Sequence, residues 1–339
     1  MQDTHGRLSP LFFLLCFITI ATITMSSTFV AAHVGYVLTK EEFQEAKGQD
    51  MQFLNQAMTV TYILLAIITL IFSVGLYFLV PKIPFVKKKL LAMEQRLESY
   101  EEFLPWIARL GVGIALIGAG SSSVLVSPTL PASMFGTAQI FLGFLLLAGL
   151  ATPIAALGVV VIYFIALTHS SYLIGNLDLL TLTIAIIILG NGRPGLDDIF
   201  SFTTINFEKC KKYTPLVLRL GIGIAMCYLA VYEKLLNPHT SALVVQNFNL
   251  MNVIPVSTPM WVTAAGIVEL AVGLALLVGF RTRLFSAIAF LVISLSFFYF
   301  GEQVYSHITL FATLSALFIT GSGKWSIDAL ITPKVKNTK

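Results

Sequence analysis

Apolar runs broken by short polar or glycine-containing stretches dominate this chain, and they predict helices at about 57–80, 105–122, 135–151, 154–169, 176–190, 215–233, 259–280, 284–300 and 307–320. Around twenty residues, at 1.5 Å of rise each, cross a hydrocarbon core of about 30 Å. The pattern predicts an all-α, polytopic integral membrane protein. Residues 1–32 read as a secretory signal, with Arg7 ahead of an apolar core from Leu11 to Ile23 and Val30-Ala31-Ala32 as a cleavage site, or alternatively as an uncleaved anchor helix.

The chain repeats itself from Leu104 onward. PWIARLGVGIAL from Pro105 returns as PLVLRLGIGIAM from Pro215, GFLLLAGLATP from Gly143 as GLALLVGFRTR from Gly273, and GNGRPGLD from Gly190 as GSGKWSID from Gly321. Blocks in the same order predict two tandem, parallel four-helix bundles. The expected organisation is 1–32 signal or anchor, 33–56 outer segment, 57–80 transmembrane helix, 81–104 cytoplasmic amphipathic linker, 105–200 degenerate repeat, 201–214 cytoplasmic linker, 215–332 second repeat and 333–339 basic tail.

Trp261 to Arg283 carries one carboxylate, Glu269, in the middle of an apolar helix. A charge at bilayer depth costs on the order of 2.5 kcal/mol or more unless it is paired, protonated or facing a wet interior. Aligned by offset, Glu269 faces Gln139, Glu233 faces Ser123, Lys234 faces Val124 and His307 faces Asn176, so the second repeat keeps a polar set that the first lacks. The second repeat is the expected seat of chemistry and the first mainly scaffold. About twenty extra residues between its first two helices, around Asn237 to Pro259, read as an outer lid, a re-entrant segment or a loop without function. Arg109 and Arg219 lie one turn inside a helix, where they can snorkel or pair, and Asp197 and Asp328 follow the glycine turns, where they are expected to cap or pair locally.

Composition narrows the class. The chain is 57% hydrophobic and 11% charged, and its net charge of +4 matters less than its placement. Lysines and arginines from Lys82 to Arg96 and at Arg193, Lys209, Lys211, Lys212, Arg281, Arg283, Lys324, Lys334, Lys336 and Lys339 fall on one side, against Lys40, Lys47 and Lys234 on the other, which places the C-terminus in the cytoplasm. Nothing suggests nucleic-acid binding. Cys16, Cys210 and Cys227 are too scattered for a zinc or iron–sulfur motif. His33, if freed as an N-terminus, would be a weak metal ligand through its amine and ring.

RLGIGIA at Arg219, the Glu233-Lys234 pair, VELAVGLALLVGFRTR from Val268 and GSGKWSID from Gly321 together resemble the DoxX/DoxD-like family of prokaryotic four-helix membrane proteins. The resemblance implies a membrane domain associated with redox systems, including the membrane subunit of an archaeal thiosulfate:quinone oxidoreductase, in a prokaryotic plasma membrane. The motif positions it brings are Arg109, Arg219, Lys234, Glu269, Gly273, Gly279, Arg283, Gly321, Gly323 and Asp328.

The leading expectation is the membrane subunit of a quinone-linked redox system, whose chemistry includes sulfur-compound oxidation as one option. Glu269 or His307 would exchange a proton, Lys234 or Arg219 would polarise a quinone carbonyl, and Tyr228, Phe298 and Tyr299, with Phe297, would flank the ring. Electrons would come from a protein partner. A second reading is a non-catalytic scaffold whose outer segments, 33–56 and 235–258, dock another protein. A third is a small-molecule carrier, which the parallel orientation of the repeats and their unequal charge weaken.

Overall fold

A computed structural model describes residues 34–48, 50–57, 92–132, 135–190, 192, 195–197 and 207–331. The signal or anchor at 1–32, His33, nearly all of the helix expected at 57–80, the linker to residue 91 and the tail at 333–339 lie outside the described residues.

All eight helices expected within the two repeats form. They are α1 (Leu104–Ser121), α2 (Phe135–Ala148), α3 (Thr152–His169), α4 (Leu177–Leu189), α5 (Thr214–Leu229), α7 (Thr258–Val278), α8 (Thr282–Phe300) and α9 (Val304–Thr320), with an additional outer helix, α6 (Pro238–Asn247). Among the described residues, six helical stretches are long and apolar enough to cross a membrane, and α2 and α9 are shorter apolar helices. The chain is a multi-pass membrane protein. Prolines stand in the first turns of α1, α3, α5, α6 and α7, where the missing N–H has no intrahelical acceptor to lose.

The eight helices share one core. The last helix of each half packs on the first helix of the other, α9 on α1 and α4 on α5, while α2 and α3 flank one side and α7 and α8 the other. Leu116, Leu182, Ile222, Leu276 and Leu314 belong to one buried cluster drawn from both halves. Small residues permit the crossings: a methyl on Gly111 would meet Ala312 Cβ at 2.5 Å, and one on Gly221 would meet Thr181 Oγ1 at 1.7 Å.

Turns at matching offsets share one geometry. The chain leaves α2 through Gly149 and Ala151, both at positive φ, and leaves α7 through Gly279 and Arg281, again both at positive φ. Asp197 accepts hydrogen bonds from the backbone N–H groups of Ala151 (2.6 Å) and Thr152 (2.9 Å), while Asp328 accepts from Arg281 (2.7 Å) and Thr282 (3.2 Å). Each aspartate thus caps the first turn of the following helix, where a negative charge faces the positive end of the helix dipole.

The halves differ at the end where α1 and α5 finish. The first carries a short antiparallel hairpin, β1 (Val124–Leu125) and β2 (Ser127–Pro131). In the second, the extra residues form α6 and a 3₁₀ turn at Leu250–Asn252, folded onto α7. Short helices at Val34–Val37, Lys40–Glu45 and Met51–Ala57 lie across the same end and bury Val34, Leu38, Phe43 and Phe53 against it.

Candidate functional site

Helix α5 does not end cleanly. It widens into a π-helical turn over Ala230–Leu236, and this turn carries Glu233 and Lys234. Such widened turns recur at functional sites because they redirect side chains that a regular helix would splay. The loosened carbonyls find side-chain donors: Ser241 Oγ donates to the Glu233 carbonyl at 3.0 Å and Asn237 Nδ2 to that of Tyr232 at 2.8 Å.

The turn brings both residues to Glu269 on α7. Lys234 Nζ lies 2.7 Å from Glu233 Oε2 and 3.0 Å from Glu269 Oε2, and the three side chains are at most 8% exposed. Glu233 Oε1 also accepts from the Tyr172 hydroxyl and from the Val34 N–H at 3.1 Å. The Tyr172 oxygen in turn receives the Gly35 N–H at 3.2 Å. Two carboxylates thus share one ammonium, and Glu233 holds more donors than Glu269.

A second buried pair adjoins this array. Glu302, on the turn between α8 and α9 and outside the spanning helices, lies 3.5 Å from His307 Nε2, with side-chain exposures of 2% and 0%. Ser306 Oγ and His307 Nδ1 are 2.8 Å apart. Burial pushes the Glu302 carboxyl up to about 8; nearby Glu233 adds to the rise and the Ser296 hydroxyl opposes it.

Segments from residues 34–57 and α6 close the site at this end. Gly48 N donates to Asn237 Oδ1 at 3.0 Å, His239 and Asp50 pair at 3.0 Å, and Phe53 packs edge-on to His239. Beneath this cover is a cavity of about 20 Å³ lined by Val34, Lys234, Ser241 and Trp261 among others, room for a single water.

Of the residues the sequence selected, Glu269 and Lys234 come together, while His307 pairs with Glu302. Arg219 joins neither pair. It stands about 22 Å along the helix from Lys234 at 1.5 Å per residue, and does not snorkel. Fully buried, it donates to the carbonyls of Leu277 (3.0 Å), Lys324 (3.1 Å) and Trp325 (3.1 Å), closing the end of α7 as a structural peg. Arg283 likewise donates to the Phe318 and Ile319 carbonyls and pairs with Glu94 at 2.5 Å. Arg109 is buried at the matching point of the first half, its guanidinium beside Gly149. Gly273 packs on Cys227, Gly321 near Arg283 and Gly323 on Pro215.

The expected quinone contacts do not converge. Phe298 and Tyr299 are 78% and 51% exposed on the outside of α8, whereas Tyr228 is stacked on Tyr232, with ring centroids 5.4 Å apart.

Three buried polar residues escaped the sequence reading. Glu302 ends an apolar run and was open to the rule that selected Glu269. Asp178, buried in the first turn of α4 beside Thr309, was open to it as well. Tyr172 carried no such signal; it comes from the half expected to be scaffold.

Residues 214–302 match the DoxX family model. The match runs from the start of α5 to the turn after α8 and includes Arg219, Glu233, Lys234, Glu269, Arg283 and Glu302; His307 and Asp328 lie beyond it. No curated protein and no solved structure matches the chain.

Proposed function

We propose that this multi-pass membrane protein, with its DoxX domain at residues 214–302, is the membrane subunit of a redox system in which the Glu233–Lys234–Glu269 array holds and exchanges a proton. One observation carries the reading: Lys234 bridges two carboxylates inside the protein, at 2.7 and 3.0 Å. Two anions and one cation leave a net negative charge where charge is expensive, and a proton taken up by one carboxylate removes it. Glu269, with fewer donors than Glu233, is the member assigned to carry that proton. The matched aspartate-capped turns support reading the two halves as copies of one unit, and the basic residues support a cytoplasmic C-terminus in a prokaryotic plasma membrane.

A quinone is the redox partner the family resemblance suggests, and a separate protein would supply electrons. The aromatic residues give the ring no common site, so no proton step here is routed through it. The scaffold reading loses some ground because Val34, Leu38, Phe43 and Phe53 of one docking segment and Val244, Val245 and Leu250 of the other are buried on this chain itself, while Leu236, Met251 and Val253 stay exposed.

Glu269→Gln tests the function in membranes containing the electron-donating partner. Quinone-dependent turnover should be lost while partner pull-down and thermal stability persist, and lipid mass spectrometry of both proteins shows whether a quinone co-purifies. Unchanged turnover would return the scaffold to first place. Counterflow in sealed vesicles without oxidant would favour a carrier.

A further inference from the structure

The array is covered from above. Val34 donates to Glu233, Gly35 to Tyr172, and the Val34–Ala57 segment with α6 buries an apolar layer over Lys234. A proton exchanging with the outer medium needs another way in. The turn between α8 and α9 offers one, because it combines an exposed backbone with a buried acid. Gly301, Gln303 and Val304 are exposed and nothing lies within 4 Å of a methyl placed on Gly301, yet the Glu302 carboxyl between them is turned inward onto His307.

We propose that Glu302 and His307 form a proton relay between the outer surface and the Glu233–Lys234–Glu269 array. The inference rests on the proton-holding role assigned to that array. A proton from water reaches the Glu302 carboxylate at the turn, passes across 3.5 Å to or from His307 Nε2, and is exchanged with the array; no bond other than those to hydrogen changes and no electron moves. Ser306 at His307 Nδ1 orients the ring so that Nε2 faces the carboxylate. Of the charged groups nearby, Glu233 on the π turn acts on Glu302, Glu233 is paired with Lys234 and through it with Glu269, and Asp178 on α4 lies beside Thr309, two residues along α9 from His307. The raised titration of Glu302, pushed further by Glu233, fits a carboxyl that binds and releases a proton near neutral pH and senses the charge of the array. Both residues act through the array and are relay residues, not catalytic ones.

Infrared spectroscopy of the purified full-length protein in lipid bilayers, transferred from H₂O to D₂O, tests this. The protonated-carboxyl band that Glu269→Gln removes should shift promptly in the wild type and about tenfold or more slowly in Glu302→Gln and in His307→Gln, with Glu302→Asp restoring most of the rate. Gly301→Ala alters the same turn without touching the relay and should leave the rate unchanged. A Glu269 band that exchanges equally fast in all variants overturns the relay and leaves the array reading intact. Slowing by Gly301→Ala to the same extent overturns it in favour of turn structure, and absence of any Glu269-dependent band overturns both readings.

Discussion

Gln139 and Glu269 occupy matching points of α2 and α7 and are both buried, but they are satisfied in opposite ways. The Gln139 amide accepts from Val126 N at 3.1 Å and donates to the Leu116 and Val124 carbonyls at 3.2 Å, tying down a hairpin with neutral hydrogen bonds. Glu269 instead pairs with Lys234 at 3.0 Å. The first half needs no counter-charge at this point, whereas the second depends on one.

That dependence predicts the effect of Lys234→Met. Removing the shared cation leaves two buried carboxylates facing each other, a loss of about 3–5 kcal/mol. Thermal unfolding in detergent should show a large drop that Lys234→Met combined with Glu269→Gln largely restores. A single variant as stable as the wild type would show that the array is not an ion-paired unit.

Glu302 predicts a pH dependence. Its folded pKa, about 8, stands above the ordinary carboxylate value of 4.5, so between these limits the folded protein binds more protons than the unfolded chain. Stability therefore falls as pH rises through this window and levels off above it. Unfolding midpoints measured from pH 5 to 9 should slope downward in the wild type, and about one titrating group's share of the slope should vanish in Glu302→Gln.

Tyr172 holds the cover through its hydroxyl. Tyr172→Phe keeps the ring against Phe43 and Tyr232 but removes the donor to Glu233 and the acceptor for Gly35, at a cost of about 1–3 kcal/mol. Amide hydrogen exchange should accelerate selectively over residues 34–48. Uniform acceleration throughout the helices would mean that the tyrosine supports the whole fold and not the cover.

Gly279 and Gly301 separate two costs of the same substitution. Both adopt positive φ, so alanine incurs about 1 kcal/mol of backbone strain at either. At Gly279 the new methyl would also lie 2.4 Å from Arg219 Nη1, while at Gly301 it meets nothing. Gly279→Ala should lower the thermal midpoint clearly more than Gly301→Ala; equal effects would mean that the Arg219 peg yields freely.

Much of this architecture was legible in the linear chain. Helix positions followed from the apolar runs, since a membrane core admits no unpaired backbone, and the Glu269 helix was marked by the cost of a carboxylate at depth. Recurring glycine and proline blocks pointed to matching turns because those residues answer to local geometry. Local rules could not decide which distant groups would meet. Arg219 became a helix-end peg because carbonyls of α7 and of the Lys324–Trp325 turn converge on it, and Tyr172 entered the array because α4 packs on α5 of the other half. Those outcomes depend on how the helices cross. Only the tertiary structure sets the crossings, because side chains far apart in sequence share a low-dielectric interior only once the helices are packed.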